Sequence, residues 1–185
     1  MPAAMSAFLS NRRTAAVLIL LAAGATIGGA LVMQHGFGYQ PCQLCLLQRD
    51  PYYLALPVAL ATALSPPRSV WSRIGLGLLA LVFLVSAGLG AYHAGVEWGL
   101  WPGPSDCGGA GAPQPSGVND FLRSLERTRV VSCTEAAWRF LGLSLAGWNA
   151  LISLGLAALA SWAAARPDGG LATRRTSSPE PRSAG

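Results

Sequence analysis

The chain has no lysine; all 13 of its basic residues are arginine. It has few charges of either sign, 11% of 185 residues, where a soluble domain carries about a quarter. That scarcity excludes an ordinary soluble domain. No glycine-rich phosphate loop, dinucleotide fingerprint or internal repeat is present, which removes the common nucleotide-dependent and solenoid classes. A pI near 9.5 raises the question of nucleic acid. The arginines are scattered or stand beside apolar runs, a pattern of membrane topology and not of a phosphate-binding face. What is abundant is hydrophobic: 52% of residues, with a mean hydropathy of +0.42. The expectation is an all-α membrane protein, one domain over residues 1–165, with a disordered tail at 166–185 rich in Gly, Ser, Pro and Arg.

Four spans are expected. Residues 14–33 form a 20-residue run without charge, about the length that crosses ~30 Å of hydrocarbon. Ala23-Gly24-Ala25 resembles a signal-peptide cleavage site, but the run continues beyond the usual ~7–15-residue core, so a retained span is favoured. The second span, 44–64, contains Arg49, Asp50, Pro51 and Pro57. Asp50-Pro51 would suit a helix start, yet Pro51–Leu64 covers only about 21 Å, so a helix beginning near Cys42–Cys45 and bent at the prolines is expected. The third, 74–92, is uncharged and Gly-rich. The fourth, 140–165, carries a strip of small residues, and Asn149 within it is expected to hydrogen-bond a neighbouring helix.

Arginine placement sets the orientation. With both termini cytoplasmic, the inner segments hold eight arginines (12, 13, 68, 73, 166, 174, 175, 182) against Asp168 and Glu180. The outer segments then hold five arginines and six acids. This satisfies the positive-inside rule and puts all four cysteines, Cys42, Cys45, Cys107 and Cys133, on the outer face.

Cys42-Gln43-Leu44-Cys45 stands where a helix running outside to inside would begin. The positive helix end and Arg49, four residues past Cys45, both lower a thiolate's pKa, which favours a reactive pair. A structural disulfide or half of a metal site is the plainer alternative. Leu46 occupies the position where haem attachment would require His. A metal centre would need all four thiolates reduced and convergent, which an oxidising outer face opposes, so no metal is expected. Arg49 taken alone would read as a snorkelling anchor; beside Cys45 at membrane depth, a functional role is favoured.

The second outer segment, residues 93–139, is the one long polar stretch. Val118, Phe121, Leu122 and Leu125 fall at helical spacing, so a short amphipathic helix is expected there, either in the membrane interface or packed on the loop. Cys107 and Cys133 enclose 27 residues with a Gly/Pro-rich front half. A bond between them would be an exchangeable disulfide or a plain loop staple. His93, at the end of the third span, is a candidate donor to a bound acceptor, and Trp98, Trp101 and Trp138 read as interfacial anchors.

Pro41-Cys42-Gln43-Leu44-Cys45 followed by Gln48-Arg49 resembles the signature of the DsbB family of bacterial inner-membrane thiol oxidases. So do four spans, cysteines in both outer segments and a short loop helix. Tyr92-His93-Ala94-Gly95-Val96-Glu97 and Trp101-Pro102-Gly103-Pro104 resemble one branch of that family. The likeness covers about residues 12–165.

The resemblance implies a four-helix membrane bundle, ubiquinone or menaquinone as acceptor, and a DsbA-like periplasmic dithiol protein as donor, with no nucleic acid involved. It implies that Cys107–Cys133 meets the donor through Cys107, that Cys42–Cys45 reoxidises that pair, and that Cys45 faces the quinone. Arg49 and, more loosely, His93 take the quinone-side positions. Pro51 departs from the pattern and would tilt the Arg49 guanidinium away from Cys45. The rival from another class is a membrane scaffold with two static disulfides.

Overall fold

The computed structural model describes residues 11–104, 129–130, 133–136 and 138–167. Cys107, the expected amphipathic helix at 118–127 and the tail from residue 168 lie outside the described residues. The described chain is mostly helical. Helix α1 is Arg12–Leu31, continued by a π-helical turn Val32–Gly36. A short strand β1 (Tyr39–Gln40) leads into α2 (Gln43–Leu47) and α3 (Asp50–Leu64). Helix α4 is Val70–Glu97. Strand β2 (Arg129–Val130) pairs in parallel with β1, and β3 (Arg139–Phe140) with β4 (Leu143–Ser144) forms a hairpin before α5 (Leu145–Ala165).

Three helices are long and apolar enough to cross a membrane by length and composition: 12–36, 70–97 and 145–165. Helix α3, with 15 residues, rises only about 22 Å. The continuous second helix from Cys42–Cys45 is not what forms. Pro51 has no N–H for the Leu47 carbonyl, and the ladder breaks between Leu47 and Asp50. It resumes with Tyr53 N–H on the Arg49 carbonyl and runs on through Pro57.

The fourth run also starts later than expected. Leu141 and Gly142, with φ of 52° and 82°, make a two-residue turn of the primed type that closes β3 on β4, so the helix begins only at Leu145, capped by the Ser144 hydroxyl. Helix α4 extends past residue 92 and ends in a Schellman cap. Gly99, at φ 71°, gives its N–H to Val96, and Leu100 gives its own to Gly95.

The core is built on small residues. Ala15, Ala16 and Ala23 of α1, Ala55 and Ala59 of α3, and Ala157 and Ala160 of α5 pack around Ile19, Leu76, Leu79 and Phe83. Gly90 of α4 lies so close to α5 that a Cβ there would stand 2.8 Å from the Ala150 nitrogen. Such backbone approach is how helices associate where no hydrophobic drive separates side chain from solvent.

Arginines tie α3 to α1 at both ends. Arg13 Nε donates to the Ala63 carbonyl (2.9 Å), and Arg49 Nη1 donates to Gln34 Oε1 (2.6 Å). Buried Arg12 reaches the Arg166 carbonyl at 2.8 Å, satisfying an acceptor that a helix terminus leaves open.

Candidate redox site

Cys42 is the N-cap of α2. Its sulfur accepts the Cys45 N–H at 3.2 Å, which holds the two side chains on one turn with their sulfurs 2.7 Å apart. A disulfide needs about 2.05 Å, so a small shift closes the bond. Both are free thiols, whereas Cys133 is disulfide-bonded. One buried cluster holds Cys42, Leu44, Val96 and Cys133, with Cys45 packed against it. Three of the four cysteine sulfurs therefore share one small region, near the β1–β2 pairing that brings the second outer segment back to the first.

Several contacts of the pair converge on the Cys42 sulfur. The Cys45 sulfur stands 2.7 Å from it, His93 Nε2 stands 3.8 Å away, and the Cys45 N–H points at it. Against the opposing effect of burial, these contacts bring Cys42 from 9.0 down to about 5, the Cys45 thiol contributing most. Arg49 is not needed for this: its guanidinium is engaged by Gln34.

A buried polar chain fixes the histidine. Gln48 Nε2 donates to the Leu44 carbonyl at 3.3 Å, and a carbonyl only accepts, so that atom is the amide nitrogen. The same nitrogen lies 2.6 Å from His93 Nδ1, which must then be the acceptor. Neutral His93 therefore carries its proton on Nε2, facing Cys42 and the Glu97 carboxylate (3.9 Å). Behind Gln48, Asn149 Nδ2 donates to Gln48 Oε1 (2.6 Å) and Tyr52 donates to Asn149 Oδ1 (2.7 Å); Tyr52 also meets Ser153, which meets Ser86. Asn149 thus makes the interhelical bond that its position in α5 predicts.

The nearest atoms of Cys42, Cys45 and His93 lie within 4.8 Å of one another, compact enough for a metal. With Nδ1 committed as acceptor and Nε2 protonated, however, the imidazole offers no lone pair to an ion.

Beside the thiols lies a predominantly apolar cavity of about 540 Å³ between α1, α2 and the residues after it, α4 and α5. Polar residues on its wall include Gln34, Cys45, Gln48, Arg49, His93 and Glu97. Cys45 opens onto it. Arg49 lines the same cavity, its guanidinium donating to Gln34. The volume is in the usual range for a small-molecule site, about 300–1,000 Å³.

Residues 12–163 match the family model described as Disulfide bond formation protein DsbB. The chain belongs to the DsbB family. It is 34% identical over 149 residues to Disulfide bond formation protein B of Marinobacter nauticus, covering 75% of this chain and 86% of that one. It is 32% identical over 164 residues to the protein of the same name from an Azoarcus species (84% and 93% covered), and 32% over 167 residues to that of Hahella chejuensis (86% and 95%). No solved structure matches the chain significantly. Family and apolar helices together make this a membrane protein of disulfide bond formation, with thiol oxidoreductase chemistry.

Sequence reasoning placed Cys42, Cys45, Arg49 and His93 at a site, and these four do come together. Cys133 joins them, and Cys107 lies outside the described residues. Gln34, Gln48 and Glu97 were missed as participants. For Glu97 a signal was present: it is the first acid after an otherwise uncharged run, one helical turn beyond His93.

Proposed function

We propose that the chain is a membrane thiol oxidase that reoxidises a periplasmic DsbA-type dithiol protein. The electrons pass through Cys107–Cys133 and then Cys42–Cys45 to a membrane quinone. The observation that carries this reading is the position of Cys45: its sulfur faces an apolar cavity, while Cys42 and Cys133 pack behind it. The Cys107–Cys133 pairing is taken from the family resemblance.

The cavity suits a quinone on this structure's own terms. It is apolar along most of its wall, with Arg49 and Gln34 among its polar residues and Glu97 Oε2 a buried acceptor without a hydrogen-bond partner among the described residues. Bound there, ubiquinone or menaquinone would supply an acceptor for two electrons and two protons. Arg49 and Cys45 would hold it at the polar end, and the apolar wall would exclude water. Cys42, as the thiolate, stands ready to close the disulfide on Cys45.

The same reading takes α3 as the fourth span, since the arginine ties to α1 at both ends let a 15-residue helix reach across with the residues 43–49 as an extension. Both termini are then cytoplasmic, the cysteines periplasmic in the bacterial inner membrane, and the segment 118–127 an amphipathic loop helix. Residues 1–165 form the one domain. The test is loss of quinone absorbance on mixing the purified full chain with a reduced DsbA-type protein and a short-chain ubiquinone. Cys45→Ser abolishes the turnover; undiminished turnover in that variant sinks the assignment.

A further inference from the structure

Gln34 and Arg49 line the same cavity from different elements, and Arg49 Nη1 donates to Gln34 Oε1 at 2.6 Å. A guanidinium only donates, so the oxygen of the Gln34 amide, and not its nitrogen, faces Arg49. Among the described residues Arg49 forms no ion pair. Glu97, the one acid among those that line the cavity, stands 3.9 Å from His93 Nε2 instead. Asp50, next to Arg49 in the chain, is exposed at the start of α3. The arginine on this wall is therefore held by a neutral partner.

A glutamine here does what neither an acid nor an apolar residue would do. A carboxylate would hold the arginine at least as firmly, but would offset its charge. An apolar residue would leave the charge and lose the geometry, since an untied arginine samples many rotamers. The amide fixes the position and leaves the charge. Gln34 also lies in the π-helical turn Val32–Gly36, closed by the Phe37 N–H on the Val32 carbonyl, and single π-turns are frequent at functional sites. A fixed, unneutralised cation on a largely apolar wall is suited to an oxygen that carries negative charge.

We propose that Gln34 is a positioning residue that holds Arg49 without neutralising it, so that the cavity selects an aromatic ring bearing an ionised oxygen over its neutral counterpart. The inference rests on the quinone reading above and narrows the chemistry of what that site prefers.

The test is equilibrium binding to the full chain in detergent at pH 7, with its cysteines oxidised so that nothing turns over. Trp138 and Trp148 line the cavity and report its occupancy by fluorescence quenching. Two probes are compared: lawsone, a hydroxynaphthoquinone that is an anion at this pH, and menadione, its neutral methyl analogue. The wild type binds lawsone about tenfold or more tightly than menadione. Gln34→Glu keeps the bond and makes it an ion pair. Its lawsone affinity falls by about tenfold or more, its menadione affinity stays within about twofold, and its Tm does not drop. Gln34→Leu keeps the charge and frees the side chain, so affinity for both probes falls together by about threefold. A purely structural tie gives another order, with Glu as good as Gln and only Leu impaired.

Lawsone affinity within about twofold of wild type in Gln34→Glu overturns the proposal, and so does an equal loss of both probes in that variant. Where Gln34→Glu fails to fold, Gln34→Leu decides: unchanged affinity for both probes overturns it. Turnover of a short-chain ubiquinone with a reduced DsbA-type protein is measured in parallel. Turnover by a wild type that shows no lawsone preference removes this proposal and leaves the redox reading. A lawsone preference that Gln34→Glu abolishes, in a wild type that reduces no ubiquinone, does the reverse.

Discussion

Reduced protein should hold a thiolate on Cys42 far below the pH at which an ordinary cysteine ionises. The Cys45 thiol, the Cys45 N–H and His93 all converge on the Cys42 sulfur and bring it from 9.0 to about 5. At pH 7 a thiol of pKa 5 is about 99% ionised, and one of pKa 9 about 1%, so the contacts change the thiolate population by about a hundredfold. The sign is fixed by the depressed value. The thiolate is fully present above pH 9, persists as the pH falls, and is lost only on passing through about pH 5. The assay is thiolate ultraviolet absorbance of the reduced chain from pH 4 to 10, with Cys42→Ser as the reference. Cys45→Ala removes the largest contribution and should raise the Cys42 midpoint by more than about one unit, and by more than His93→Phe does. A Cys42 midpoint in the ordinary range of about 8–9 refutes the reasoning. So does a neutral-pH thiolate that survives in Cys42→Ser, because the low-pKa sulfur would then be Cys45.

Two further outcomes follow from the packing. Gly90→Val places side-chain atoms where the Ala150 nitrogen and the Ala146 carbonyl already stand, and should destabilise the α4–α5 contact by about 1–3 kcal/mol, read as a lowered Tm in detergent. Asn149→Leu leaves Gln48 Oε1 and the Tyr52 hydroxyl without their interhelical partner, costing about 1–3 kcal/mol, and frees the Gln48 amide to turn; the Cys42 titration then shifts, which a purely structural role for Asn149 would not produce.

The parts legible in the sequence were those set by local chemistry. Uncharged runs marked three long helices, and Cys42-Gln43-Leu44-Cys45 with Arg49 marked the site, because helix spacing alone puts residues 42, 45 and 49 on neighbouring turns. Asn149 was legible as a polar residue amid apolar ones. The errors share a physical origin in competing backbone demands. Pro51 was weighed as a bend, yet a missing N–H at that point ends one helix and begins another. Phe140 was placed in the last span, while positive φ at Leu141 and Gly142 turns the chain into a hairpin first. Arg49 was expected to act on the cysteine pair as the nearest charge. Contacts of single ångströms decide instead, and Gln34, fifteen residues earlier, takes up that arginine. Gln48 and Glu97 acquire meaning only when α2 and α4 are set side by side, which no spacing within one segment reveals.

The polar chain from Ser86 to His93 has a consequence beyond the site. Its links cross α3, α4 and α5, and the two shortest, at 2.6 Å, join Asn149 to Gln48 and Gln48 to His93. Hydrogen bonds of that length tolerate little sliding of one helix along another. A bilayer too thick or too thin for these helices, one of which is only 15 residues long, is accommodated by tilt, and tilt is sliding. The first bonds to lengthen are those that dictate which nitrogen of His93 holds its hydrogen. Lipid thickness thereby becomes a chemical variable: a membrane that strains the bundle changes the acidity of a sulfur it never touches.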